Sequence, residues 1–196
     1  MEGELPARRD LLMRPDSSEL ETERLRLRPL SRADTEHLAE LDADPEVGRY
    51  VHLSAPPTRA DLEAALPRML ARFGLPPVQP AFWAADERGS GRFVGWFHLR
   101  PSEEPDTLEL GYRFRRDAWG QGYASEGARA LVVRAFEHLG AKCVEAIALV
   151  ENAASIRVME KAGLRLRERF LYEGERPAVR YALERSEYGG AEPVMP

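Results

Sequence analysis

The chain has 196 residues, enough for one domain with a sizeable buried core, and 43% of them are hydrophobic. A formal net charge of −5 and a pI near 5.5 argue against a nucleic-acid binder, and no apolar run approaches a membrane span or a signal peptide, so a soluble cytoplasmic protein is expected. One cysteine, Cys143, excludes an internal disulfide and a thiolate cluster, and His37, His52, His98 and His138 lack ligand spacing, so no metal is expected.

Residues 1–20 mix Pro, Arg, Asp and Ser without period and are expected to form a flexible N-terminal segment. Residues 24–30 alternate as a strand, with Arg24, Arg26 and Arg28 on a solvated face. Ser31 is the N-cap candidate of a helix to about residue 41, which Asp44-Pro45 stops. A looped stretch then leads to Thr58, the cap of a helix to about residue 73 that Pro67 should kink or interrupt.

After the breakers of 74–80, strands at 81–85 and 93–99 flank a turn at 87–91. The next strand, 107–114, alternates as Thr-Leu-Glu-Leu-Gly-Tyr-Arg-Phe and should run antiparallel to its predecessor. Ala124, Ala128, Leu131, Val132, Ala135, Phe136 and Leu139 recur at helical spacing up to Gly140. A strand at 143–150 follows, opened by Cys143 as a small buried hydrophobe. Then come a helix at 153–162 with Gly163 as C-cap, strands at 164–171 and 177–183, and a frayed tail. This order is α/β (α+β under another convention): a mixed sheet with helices on its faces, one domain over 21–185 and a tail at 186–196.

Trp119-Gly120-Gln121-Gly122-Tyr123 lies between a strand and a helix, where bare N–H groups and the positive end of the helix dipole converge. No Gly-Lys-Ser/Thr follows, so it is not a Walker loop, and Ser125 stands where a dinucleotide fingerprint needs its third glycine. An anion seat built from the N–H groups of residues 119–124 remains. A dinucleotide-dependent redox enzyme is disfavoured.

A second motif runs from Asn152 through Ser155, Met159, Glu160, Lys161 and Gly163 to Leu164. Together with the glycine turn it resembles the GCN5-related N-acetyltransferase (GNAT) superfamily, in its branch that acetylates ribosomal-protein N-termini and other amines. Residues 117–122, Asp-Ala-Trp-Gly-Gln-Gly, stand in the register of its pyrophosphate loop, Gln/Arg-x-x-Gly-x-Gly/Ala. Residues 152–164 match Asn-x-x-Ser-x-x-x-x-Glu-Lys-x-Gly-Phe/Leu, and residues 21–30 match the opening strand of that branch. The resemblance covers roughly residues 21–185. It implies a mostly antiparallel sheet of about seven strands with about four helices, acetyl-CoA as co-substrate, a primary amine of a protein N-terminus or small molecule as acceptor, and a homodimer.

Acyl transfer to an amine needs a base for the ammonium proton, a donor for the oxyanion, and a proton for the departing thiolate. Glu109 is the candidate base, flanked by apolar neighbours that would raise its pKa. Asn152 is an N-cap and, by the resemblance, a ligand of the pantetheine arm. Many members carry a donor tyrosine seven residues after that asparagine; here Met159 stands there, which makes Ser155 the candidate donor. Phe114, Trp119, Gly120, Gln121, Gly122, Tyr123, Ala124, Asn152 and Ser155 are the candidate cofactor-binding residues. Asp117 departs from Gln/Arg at the loop's first position and is expected to point away, offset by Arg115 and Arg116. Trp83, Trp96 and Trp119 are pocket candidates, although a tryptophan in such a position is more often core. The stretches 44–57 and 74–80, which would wall the acceptor site, carry no specificity code. Alternatives are a CoA-binding sensor without transfer and a transferase of another acyl-CoA such as succinyl-CoA.

Overall fold

The computed structural model describes residues 18–51, 55–73 and 81–189. The strands are β1 (Leu20–Glu21), β2 (Leu25–Pro29), β3 (Phe82–Glu87), β4 (Phe93–Pro101), β5 (Thr107–Phe114), β6 (Cys143–Leu149), β7 (Arg165–Tyr172) and β8 (Arg176–Glu184). They form one sheet in the order β1-β2-β3-β4-β5-β6-β8-β7. Every neighbouring pair is antiparallel except β5 and β6. The count is eight rather than seven because the two-residue β1 pairs with β2.

Period-2 alternation decides which side chains meet which helix. Trp83 pairs with Phe97, and Phe97 with Tyr112, so all three face one way. That face is covered by helix α4 (Tyr123–Glu137), whose Gly127 lies so close to Phe97 that a Cβ there would stand 2.3 Å from the ring. The register shift opposite Ala85 and Asp86 turns Phe93 to the other face, where it stacks at 4.8 Å on His37 of helix α1 (Thr35–Ala43). Trp83, Phe97, Leu99, Leu110 and Leu131 are fully buried or nearly so between these layers.

The local signals act largely as read. Ser31 and Asp34 form a capping box on a short 3-10 turn that leads into α1. Asp44-Pro45 stops α1 as read, and the looped stretch expected after it departs from expectation. The Asp44 carboxylate accepts the Glu46 N–H at 3.0 Å, so the pair that ends α1 also opens α2 (Pro45–Gly48), with Pro at its first position. Pro67 does not interrupt α3 (Arg59–Phe73). Leu66 is buried, and Leu62, Met69 and Leu70 pack on the core, so tertiary burial outweighs a cost of roughly 3 kcal/mol for an internal proline.

The remaining helices are α5 (Ala153–Lys161) and α6 (Arg185–Tyr188). Helix α6 reaches into the stretch expected to be tail, where Tyr188 stacks at 4.6 Å on Phe136. The expectations for residues 1–17, 52–54, 74–80 and 190–196 lie outside the described residues. No described helix is long and apolar enough to cross a membrane.

Candidate active site

Strands β5 and β6 share only three residue pairs, Thr107–Cys143, Leu108–Val144 and Glu109–Glu145. Beyond them β5 continues to Phe114 and β6 to Leu149, each still bonded to its outer neighbour but no longer to the other. The sheet is therefore split along the second half of its one parallel pair. The chain leaves β5 into the glycine turn and leaves β6 into Asn152, so both motifs stand at the mouth of the split. A cleft of about 320 Å³ opens there.

The glycine turn is shaped for an anion. Gly120 and Gly122 have φ of +74° and +86°, and a Cβ on Gly120 would meet nothing within 4 Å. Gly122 is the N-cap of α4 and brings no capping side chain. The first helical bond runs from the Glu126 N–H to the Gly122 carbonyl, so the N–H groups of Tyr123, Ala124 and Ser125 precede the helix ladder. Uncapped first-turn donors with the helix dipole behind them suit a phosphate or diphosphate.

Phe114, Trp119, Gly120, Gly122, Ala124, Asn152 and Ser155 all line this cleft. Gln121 and Tyr123 turn their side chains elsewhere. The Gln121 amide donates to the Asp117 carbonyl at 2.8 Å, and the Tyr123 hydroxyl donates to Glu87. Asp117 points away from the loop, as expected. It is held by Arg92 at 2.9 Å and Arg115 at 3.6 Å, whereas Arg116 pairs with Asp44. Trp119 anchors the loop by donating to the Phe114 carbonyl at 2.8 Å. Trp83 is core, and Trp96 packs under Arg113. Burial and Glu184 push the Cys143 thiol up to about 11, which keeps it protonated and unreactive.

Asn152 caps α5, its side-chain oxygen accepting the Ser155 N–H at 3.1 Å. Ser155 does not stand alone. Its hydroxyl lies 3.0 Å from the hydroxyl of Tyr112 on β5, and the same phenol reaches the Ser155 carbonyl at 3.0 Å. Both side chains border the cleft. Burial raises the Tyr112 pKa well above its ordinary value, so the phenol keeps its proton at any physiological pH. Met159 is fully buried in the core.

Glu109 corrects one expectation. It lies on the sheet face opposite Tyr112, outside the cleft lining, beside its cross-strand partner Arg100. Burial alone would raise its pKa. Hydrogen bonds from His98 (3.2 Å) and Arg100 (2.9 Å) outweigh burial and hold the carboxyl down at about 2. A carboxylate so stabilised is a weak base by itself. The pKa of the adjoining His98 is lowered as well, here by burial, which outweighs the raising effect of Glu109 and leaves the imidazole neutral. A neutral His98 bonded to a carboxylate must donate through Nε2, which leaves the lone pair on Nδ1. Its ring stands over Gly111, where a Cβ would come within 2.3 Å of it, just past the last paired residue of β5.

Tyr112, His98 and Arg24 carry no signature in the sequence. Tyr112 falls on the apolar face of an alternating strand, and its hydroxyl was the available signal. Arg24 reads as one of three solvated arginines, yet its guanidinium bonds the Gln121 carbonyl at 2.8 Å.

Residues 24–165 match the acetyltransferase (GNAT) domain family. The chain is similar to the FsC-acetyl coenzyme A-N(2)-transacetylase of Aspergillus fumigatus, at 35% identity over 184 residues, 86% of this chain and 77% of that protein. Among solved structures, a GNAT-family acetyltransferase from Bacillus anthracis superposes with a TM-score of 0.76 at 25% identity, covering 86% of this chain and 99% of that one. Spermidine N-acetyltransferase from Vibrio cholerae, solved with CoA and spermine, shares the fold at a TM-score of 0.71 and 16% identity, over 85% of this chain and 99% of that one.

Proposed function

Since the chain belongs to the GNAT family of N-acetyltransferases, we propose that it moves acetyl from acetyl-CoA to the primary amine of a small molecule, within the split between β5 and β6. The observation that carries this reading is the coincidence of two things at one cleft: an uncapped glycine loop suited to a diphosphate, and a hydroxyl pair suited to returning a proton. The small-molecule acceptor rests on the relative at 35% identity, whose name specifies acetyl coenzyme A as donor and an N(2) nitrogen as acceptor.

The residues present fit the co-substrate. Donors from residues 120–125 would hold its diphosphate, and the Asn152 amide, whose oxygen is engaged in capping, would offer its N–H groups to the pantetheine arm. Acetyl-CoA supplies the activated acyl group and a thiolate leaving group. On the acceptor side, the His98–Glu109 pair takes up the ammonium proton, directly or through one water. The imidazole is the basic member, and the carboxylate fixes its tautomer. On the leaving side, the Ser155 hydroxyl gives its proton to sulfur and takes one back from solvent in the cleft, while the Tyr112 phenol keeps its own proton and steadies the Ser155 oxygen by a hydrogen bond. Most of the rate comes from holding the two reactants together, so each of these groups contributes a limited factor.

The test is product analysis by mass spectrometry after incubation with acetyl-CoA or succinyl-CoA and a panel of α-amines, ω-amines and peptide N-termini. An acetylated small amine is the expected product. Acylation of peptide N-termini alone would replace the acceptor, a succinylated product would replace the donor, and CoA binding without any product would make the chain a sensor.

A further inference from the structure

We propose that Arg24, just ahead of β2, is a positioning residue for the anion loop, holding the Gln121–Gly122 peptide so that the Gly122 N–H faces the cleft. This rests on the reading of that loop as the seat of the CoA diphosphate. Arg24 reaches across 97 positions of chain to donate from Nη1 to the Gln121 carbonyl at 2.8 Å. Its Nε donates to Glu126 at 2.7 Å, and its backbone N–H donates to the same carboxylate at 2.8 Å. The guanidinium also lies 4.9 Å from the centre of the Tyr123 ring. Three successive contacts, on residues 121, 123 and 126, thus come from one side chain on a different element.

The consequence follows from peptide geometry. In a planar trans peptide the carbonyl of one residue and the N–H of the next point to opposite sides. With the Gln121 carbonyl held on Arg24, the Gly122 N–H is aimed away from Arg24, and Gly122 itself borders the cleft, whose lining does not include Arg24. Gly122, at φ of +86° and without a Cβ, does not fix this orientation by itself, because glycine tolerates a wide range of backbone angles. A Cβ there would stand 3.3 Å from Arg24 Nη2, so arginine and glycine fit each other closely.

Glu126 anchors the strut. Its side chain is 10% exposed and also accepts the Thr22 hydroxyl at 2.5 Å. Burial would raise its pKa, but the bonds from Thr22 and Arg24 outweigh burial and keep it ionised. A carboxylate in the first turn of α4 would oppose an arriving anion, and Arg24 neutralises it. Arginine can serve the carbonyl and the carboxylate together because its donors form a fixed fork, which a lysine lacks.

The test is calorimetric titration of CoA into wild type, Arg24→Ala and Arg24→Lys. It is paired with kcat and the amine KM at saturating acetyl-CoA, using the acceptor found above. Arg24→Ala is expected to weaken CoA binding about tenfold or more, the order of one charge-assisted contact, with kcat and the amine KM within about twofold of wild type. Arg24→Lys should show the same selective loss at smaller size, and it carries the test if the alanine variant does not fold. Wild-type affinity in both variants would overturn the proposal, as would a fall in kcat that matches the loss of affinity. Failure of wild type to bind CoA would instead overturn the reading of the loop.

Discussion

At the scale of single residues, the Ser155–Tyr112 pair makes the sharpest prediction. If Ser155 passes a proton to sulfur, Ser155→Ala should lower kcat by about 10- to 100-fold and leave the acetyl-CoA KM within about twofold, because the interaction strengthens only as sulfur departs. Tyr112→Phe keeps the ring in the core and removes only the hydroxyl, so it should lower kcat less, by about 3- to 10-fold. The double variant should be no slower than Ser155→Ala, since residues acting in series are not additive. Multiplicative losses in steady-state kinetics would assign the phenol a separate role.

Glu109→Gln should lower kcat by roughly 10- to 1000-fold with little change in CoA affinity, since the amide no longer supports a positive charge on His98. A pH–rate profile identical to wild type would return Glu109 to a purely structural place beside Arg100. The alternation of β5 disclosed which side chains share its face, and the helical motif disclosed Asn152 and Ser155. Glu109's depressed pKa was not legible, because His98 and Arg100 come from β4 and meet it only through antiparallel pairing. Tyr112 was hidden for the converse reason: its apolar ring satisfies the strand pattern, and its hydroxyl finds Ser155 only across 43 positions of chain.

At the scale of elements, the loop and α3 are open to direct trial. Gly122→Glu places a side chain and a negative charge at a position with φ of +86° beside Arg24, and should abolish detectable CoA binding by calorimetry while the fold persists by circular dichroism. Unchanged affinity would remove the anion seat. Pro67→Ala restores a backbone donor inside the continuous helix α3, and should raise stability by about 1–3 kcal/mol in urea unfolding. A loss of stability would mean that the pyrrolidine ring is itself packed. Caps and breakers were legible wherever one side chain decides the local backbone, as at Ser31 and Gly163. They fell short after Asp44-Pro45, which stops α1 as read but also starts α2, and at Pro67, where burial of a distant face overrides a local penalty.

At the scale of the whole molecule, element order and class follow from periodicity, whereas the split between β5 and β6 does not. A strand's alternation names its faces but not its neighbours, so the unpaired stretch of β5 beyond Glu109 emerges only from the assembled sheet. Acid stability is a property at the same scale. His98 has a lowered pKa in the fold, so below its ordinary value of 6.5 the unfolded chain takes up a proton that the folded chain refuses. Glu109 is held at about 2 against an ordinary 4.5, so its stabilisation is complete above 4.5 and is lost as pH falls toward 2. Both signs favour the folded state at neutral pH. The urea midpoint should therefore fall first as pH drops through about 6.5 and again below about 4.5, with His98→Asn abolishing the first decline. A midpoint flat between neutrality and pH 5 would contradict the burial of a neutral His98.

The measurement that bears most directly on the whole account is free-thiol release from acetyl-CoA, followed with and without a small primary amine. The account predicts thiol release that depends on the amine, matches the acetylated product mole for mole, and is strongly reduced in Ser155→Ala. Tight CoA binding with no amine-dependent thiol would contradict it.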